Sequence, residues 1–286
     1  MSSDTSNLPG LGLLESLPFA ARAAAGLVPG HALVHIESER TAIDTETNDM
    51  WDNPNVDAFT FSATANIDTV SSAHAADTTC VITIEGLDAD FVPVTQTATT
   101  NGYTEITLTT PLMRVNNVYQ SGGSIHIGNI WVYVNDTSVN GVPGTPANAR
   151  GYLVVVGIAS KASLYTVPAG KTAFLLQAQL HQNNTTKVDA YCRILTNDVG
   201  AGVALPKEIT RLTVGGAAST GVSRDTGDMV KNYPLPLVIN EKNDIYAQAH
   251  TYANGGALNF SYDLLLVDNA YLNSGTRQLG TSTVGA

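Results

Sequence analysis

The side chains that could do chemistry in this sequence are six histidines, two cysteines and twenty-five carboxylates. His31 and His35 share a face if their segment is one strand, which would offer a metal two nitrogens, but no third ligand stands near them in the sequence. A triad hydrolase needs a nucleophile on a tight turn, commonly within Gly-x-Ser-x-Gly. The nearest approaches, Gly122-Gly123-Ser124 and Ala218-Ser219-Thr220-Gly221, read as plain loops. Asp88 with Asp90, and Glu37 with Glu39, set two carboxylates on one side of a strand, the starting point for a glycosidase pair. Both pairs border turns, where such side chains bond the local backbone instead. Asp49, Asp52 and Asp57 around Trp51 come closest to a cation-binding loop, without the alternating carboxylates of a known one. Cys80 and Cys192 sit in apolar strand patterns and read as buried free thiols, and no Cys/His cluster supplies a zinc site. No residue is therefore assigned a catalytic, cofactor-binding or metal-binding role. The chain is expected not to be an enzyme and to need no cofactor.

Composition points the same way. The chain has 286 residues, of which 43% are hydrophobic and only 14% charged. That is well under the roughly 25% charged residues of an ordinary soluble protein, so Ser, Thr, Asn, Gln and Gly must cover the surface. Such surfaces suit secreted, viral or densely assembled proteins. A net charge of −11 with no basic run repels phosphate backbones, and no nucleic-acid partner is expected. No run reaches the roughly 18 apolar residues of a membrane span, and no membrane partner is expected. Residues 8–28 are rich in Leu, Ala and Gly, but Asp4, Glu15, Pro9 and Pro18 break the pattern of a signal peptide. They read as an apolar arm with one short helix, anchored on a partner subunit.

The elements that would position these residues are strands. Apolar and polar residues alternate, β-branched residues dominate, and Gly, Pro, Asn and Asp punctuate. The sequence predicts two jelly-roll-like β-sandwiches in tandem: arm 1–30, first sandwich 31–135, linker 136–150, second sandwich 151–272 and tail 273–286. Expected strands of the first are 32–37, 58–62, 67–71, 79–87, 91–98, 103–109, 113–120 and 129–135. Those of the second are 152–158, 163–167, 173–180, 188–195, 209–213, 235–239, 244–250 and 258–267. The linker is drawn at 136–150 because it holds two prolines, two glycines and no periodicity. The Gly-rich stretches 200–202 and 215–221 read as loops, and Asn254-Gly255-Gly256 as a hairpin turn.

One stretch is similar to a known module. Trp51-Asp52 comes first, followed by Ile67-Asp68-Thr69-Val70-Ser71-Ser72-Ala73 and Ala76-Asp77-Thr78. Next stand Val81-Ile82-Thr83-Ile84-Glu85-Gly86-Leu87-Asp88-Ala89, residues 94–100, Asn101-Gly102, Arg114-Val115-Asn116-Asn117-Val118-Tyr119 and Gly128-Asn129-Ile130. In that order they resemble a module of structural proteins of tailed bacteriophages, marine and cyanobacterial phages among them. In the second half, residues 165–173 and Asn243-Asp244-Ile245-Tyr246 fit the same context more loosely. The resemblance implies a β-rich virion component, commonly a homotrimer, that decorates the head or projects from it and contacts the major capsid protein or other virion proteins. It carries over no catalytic residue, and it does not cover the arm. The expectation is a capsid decoration (cement) or head-fibre protein located in the virion. The alternative is a tail-associated receptor-binding protein that recognises carbohydrate, which would show exposed aromatics in a groove.

Overall fold

The computed structural model describes residues 18–134, 136–182, 190–198, 206–214, 228–252 and 256–273. Residues 1–17 of the arm, the loops expected at 200–202 and 215–221, Asn254 and Gly255 of the expected turn, and residues 274–286 of the tail lie outside them. The described chain is all-β in class, as expected, with two short helices, α1 (Phe19–Ala24) and α2 (Asn269–Asn273).

Two sandwiches form, but they are nested rather than tandem. In chain order the strands begin β1 (His31–Ile43), β2 (Asn48–Asp49), β3 (Ile67–Ser72), β4 (Val81–Leu87), β5 (Pro93–Thr99) and β6 (Ile106–Leu112). They continue β7 (Arg114–Gly122), β8 (Ile130–Val134), β9 (Ser138–Val139), β10 (Val142–Pro143), β11 (Ala149–Leu153) and β12 (Tyr165–Thr166). The last are β13 (Lys171–Gln182), β14 (Ala190–Asp198), β15 (Lys207–Val214), β16 (Asp228–Ile239), β17 (Asn243–Thr251) and β18 (Gly256–Asp268). One sandwich packs the sheet β11-β8-β3-β6 on β5-β4-β7. The other packs β1-β18-β13-β16 on β12-β17-β14-β15, with β2 pairing β17.

This corrects two expectations. Strand β1 was expected to open the first sandwich; it runs antiparallel to β18 from His31↔Val267 to Ile43↔Gly256 and so belongs to the second. The segment 136–150 was expected to link the domains. It is a hairpin, β9 with β10, followed by a 3-10 turn at Pro146–Asn148 and by β11, which returns to pair with β8. Asp136 organises it by accepting bonds from the Thr145 and Thr137 amides, each 2.8 Å, so proline and glycine here mark tight turns rather than a tether. The first sandwich, β3 to β11, is therefore inserted between β2 and β12 of the second. Residues 58–62, expected as a strand, are irregular chain that crosses from one sandwich to the other.

Alternation explains the elements. In β18, Leu258, Phe260, Tyr262 and Leu264 turn into the core while Asn259, Ser261 and Asp263 turn away. In β4, central in its three-stranded sheet, Ile82 and Ile84 are fully buried. Gly86 sits opposite Val115, and a Cβ added there would lie 2.4 Å from the Arg114 carbonyl oxygen, so only glycine allows the close approach of β4 and β7 at this bulge. Cys80 and Cys192 are free thiols buried in different cores, and burial pushes both up from the ordinary thiol value.

Nesting generates a test. Residues 64–156 expressed alone should melt cooperatively with a β-rich circular-dichroism spectrum, because β3 to β11 close their own core. Residues 151–272 alone should not, because without β1 one whole edge of β18 is bared. A cooperative melt from the second fragment would mean that β1 is dispensable to its sheet.

Candidate functional site

Three features qualify as candidates: the carboxylate loop at 49–57, the seam between the sandwiches, and the surface patches.

The carboxylate loop is built around Arg40. Its guanidinium, brought in by β1, donates to the Val56 carbonyl at 2.8 Å and pairs with Asp57. Asp49 is spent elsewhere: one oxygen accepts from Gln248 at 2.7 Å and the other from the Phe59 amide. Asp52 differs. Both its oxygens are buried without a hydrogen-bond donor among the described residues. Burial raises the Asp49 carboxyl to about 6 and the Asp52 carboxyl to about 7. Among the described residues no three His, Cys, Asp or Glu side chains converge as a metal ligand set. Asp49 and Asp57 point to separate partners and Asp52 joins neither set, with Arg40 as the local positive charge.

The other sequence candidates are likewise engaged locally. His31 Nδ1 lies 2.8 Å from the Pro29 carbonyl and His35 Nδ1 2.6 Å from Asp263, so the two rings serve different neighbours. Asp88 accepts the amides of Asp90 and Val92, each at 2.9 Å, in a local turn. Glu39 pairs with Lys161 at 2.8 Å.

The seam holds a residue that sequence reading did not single out. Arg114, at the corner where β6 of one sheet passes into β7 of the other, reaches across to Asp244 at the start of β17. Nε and Nη2 bond the two carboxylate oxygens at 2.8 and 3.0 Å, and Nη1 donates to the Ser62 and Met113 carbonyls at 2.8 Å. Both side chains are almost fully buried. Thr166 donates to Asp244 at 2.6 Å, and the Phe61 and Phe91 rings flank the guanidinium. Asn116 adds a reciprocal pair with the Thr166 backbone, at 2.9 and 3.0 Å. Around this node the crossing segment lays Phe59 on Trp51 and sets Phe59 and Phe61 against Tyr246. Beside the seam opens a cleft of about 850 Å³ between β1, β4, β5 and residues 157–162.

Two surface patches stand out. At one tip of the inserted sandwich, Ile125, Ile127, Val155, Val156 and Ile158 project into solvent, Val156 and Ile158 being 68% and 71% exposed. Val156 holds φ +57°, a left-handed backbone that β-branched residues rarely adopt. His126, itself buried, joins the two loops: one ring nitrogen is 2.9 Å from Gln120 Oε1 and the other 2.9 Å from the Val154 carbonyl. Asp77 fixes the base by accepting from the Ile127 and Gly128 amides at 2.8 and 2.9 Å. Burial alone would raise its carboxyl; the bonds from Ser72, Gly128 and Ile127 hold it below the ordinary value. The second patch is a cross-strand ladder on the second sandwich. Arg211 lies over Tyr191 at 4.4 Å, His250 stacks on Tyr191 at 5.0 Å, and Tyr252 meets His250 edge-on. Tyr191 is thus sandwiched by its own neighbours, which leaves Tyr252, 63% exposed, as the open ring.

No family model matches this chain, and no curated protein matches it in sequence. Among solved structures it is similar to a structure of infectious bursal disease virus, Gt strain, at 12% identity. That match covers 89% of this chain and 79% of the other, with a TM-score of 0.22. The VP2 subviral particle of infectious bursal disease virus is similar at 11% identity, covering 84% of this chain and 72% of the other, with a TM-score of 0.21. This is a weak structural similarity to viral capsid proteins, and at such TM-scores it carries no argument about what the chain does. No helix among the described residues is long and apolar enough to cross a membrane.

Two tests follow. Arg114→Met leaves the Asp244 carboxylate buried without its ion partner and should cost about 3–5 kcal/mol in urea unfolding. The double variant Arg114→Met, Asp244→Leu should recover much of that loss. An equal loss in both would mean that the pair contributes packing rather than charge. The second test concerns pH. Asp52 titrates at about 7 when folded against 3.8 for the free side chain. Between these values the folded chain keeps a proton that the unfolded chain releases, so stability falls as pH rises through that window. Asp52→Asn should make the profile less steep between about pH 4 and 7, by on the order of 1–3 kcal/mol. Parallel profiles for variant and parent would remove Asp52 as the cause.

Proposed function

We propose that this protein is a structural virion component that acts by surface contact, as a capsid decoration or head-fibre protein assembled as a homotrimer. The observation that carries the reading is the loop tip. Five aliphatic side chains are held out to water on a backbone that is strained at Val156 and pinned by His126 and Asp77. An exposed apolar cluster of this kind costs solubility unless it is covered, and ordering it in advance lowers the cost of covering it. The charge-poor, hydroxyl-rich composition and the resemblance of residues 51–130 to a phage structural module support the same reading.

A tail-associated carbohydrate-binding role is the alternative, and the ladder of Arg211, Tyr191, His250 and Tyr252 is what would serve it. That ladder uses its ring faces on itself, so it offers a sugar little flat area, and the contact reading is preferred.

Light scattering on the purified chain tests the proposal. The parent should run as an oligomer at micromolar concentration, and Ile127→Asp with Val156→Asp should shift it to monomer with an unchanged circular-dichroism spectrum. The same variant should be lost from purified particles in which the parent is found by mass spectrometry. A monomeric parent, or an unaffected variant, would sink the reading.

A further inference from the structure

The cleft beside the seam has walls from both sandwiches. Its volume of about 850 Å³ lies within the usual range of small-molecule sites, roughly 300–1,000 Å³. Much of the lining is apolar, with Leu33, Leu87, Val94 and Leu266 among it. The polar groups decide what could bind. Three basic side chains line the cleft, and each already has an acid of its own. Lys161 pairs with Glu39 at 2.8 Å, His35 lies 2.6 Å from Asp263, and Lys171 pairs with Asp268. None of those three carboxylates belongs to the lining. The acids of the lining are Glu37 and Glu85, and neither forms an ion pair among the described residues.

Glu85 is placed by strand alternation. On β4, Ile84 turns into the core of the inserted sandwich, so Glu85 projects from the outer face of the sheet. Thr95 of β5 and Asn117 of β7 stand opposite it in register, and all three line the cleft. Asn117 Nδ2 donates to Glu85 Oε2 at 3.1 Å and so orients the carboxylate, while Oε1 accepts from no described residue. The host sandwich presents Tyr165, on β12, to the same space. Tyr165 is only 8% exposed, yet its hydroxyl makes no hydrogen bond among the described residues and is not sealed off from the cleft. Burial, helped by the nearby Glu85 charge, holds the phenol above its ordinary value, so the hydroxyl stays neutral. Two oxygen acceptors are thus left beside apolar walls. An ammonium group brings N–H donors for both, together with the charge that Glu85 lacks in a partner.

We propose that the cleft binds a small primary amine with an apolar body, its ammonium donating to Glu85 Oε1 and the Tyr165 hydroxyl oxygen and its body lying on the aliphatic walls. The inference stands independently of the virion reading. An anionic ligand would meet Glu37 and Glu85 with like charge, and an uncharged one would leave the Glu85 carboxylate unmatched.

Titration calorimetry on the full chain decides it, with octylamine, octanol and octanoate as probes that share a body and differ in charge. Octylamine should bind about tenfold or more tighter than octanol, the margin of a charge-assisted hydrogen bond, and octanoate should not bind measurably. Glu85→Gln keeps an acceptor for Asn117 but removes the charge, and should erase most of the preference for octylamine while leaving octanol unchanged. Tyr165→Phe should weaken octylamine about threefold. Thr95 is exposed and lines the cleft, so Thr95→Trp should exclude both probes by filling the space. Circular-dichroism melts matching the parent confirm that each variant folds, and if Glu85→Gln melts early, Glu85→Asp supplies the same readout by withdrawing the carboxylate. Equal affinities for octylamine and octanol, octylamine binding that survives Glu85→Gln or Thr95→Trp, or no heat at millimolar concentration would each overturn the proposal. Equal affinity for N-acetyl-lysine amide would overturn it too, by handing the cleft to a side chain of a protein partner.

Discussion

The Arg114–Asp244 pair holds the two sandwiches in register. One partner sits at the corner where the inserted sandwich turns from one sheet to the other, and the second opens a central strand of the host sandwich. Burying two charges is costly unless geometry and surrounding bonds compensate. Here the guanidinium uses four acceptor contacts and the carboxylate takes an additional hydroxyl. Such a pair is a poor source of net stability compared with a well-packed apolar contact. Its value is in orientation: a displaced sandwich strands a charge in a dry seam. The aromatic rings of the crossing segment then pack around a fixed point, and the cleft beside the seam has a defined shape for the same reason.

Much of the strand content was legible because the period of two is strong. The sequence-derived strands at 67–71, 79–87, 173–180, 244–250 and 258–267 overlap β3, β4, β13, β17 and β18 closely. Alternation says that a segment is a strand with one buried face. It does not say which sheet receives it. Strand β1 carries a pattern acceptable to either sandwich, and its partner lies more than two hundred residues away in β18. Proline and glycine density marked residues 136–150 as a break; those residues do turn, but the turn is a hairpin organised by Asp136. The expected strand at 58–62 failed for a related reason. Its aromatic alternation serves rings packed in a seam, not a ladder.

The candidate site was less legible. Sequence spacing drew attention to Asp49, Asp52 and Asp57, and the structure puts a cation beside them from β1, which no local pattern announced. Arg114 sits inside the motif Arg114-Val115-Asn116-Asn117 without any sign of a buried partner 130 positions downstream. The exposed tip was hidden because a run such as Leu153-Val154-Val155-Val156 reads as core strand. The turn that expels it depends on a left-handed Val156 and a histidine bridge that only the folded chain displays.

The placement of His31 opposite Val267 has a mechanical consequence. The first and last long strands of the host sandwich are neighbours, and the chain enters and leaves at one corner, where the Phe19, His31 and Tyr271 rings meet. Tension applied between the two ends would peel β1 from β18 one rung at a time, like a zipper, instead of shearing the whole ladder at once. The inserted sandwich would bear no load until β1 had come away.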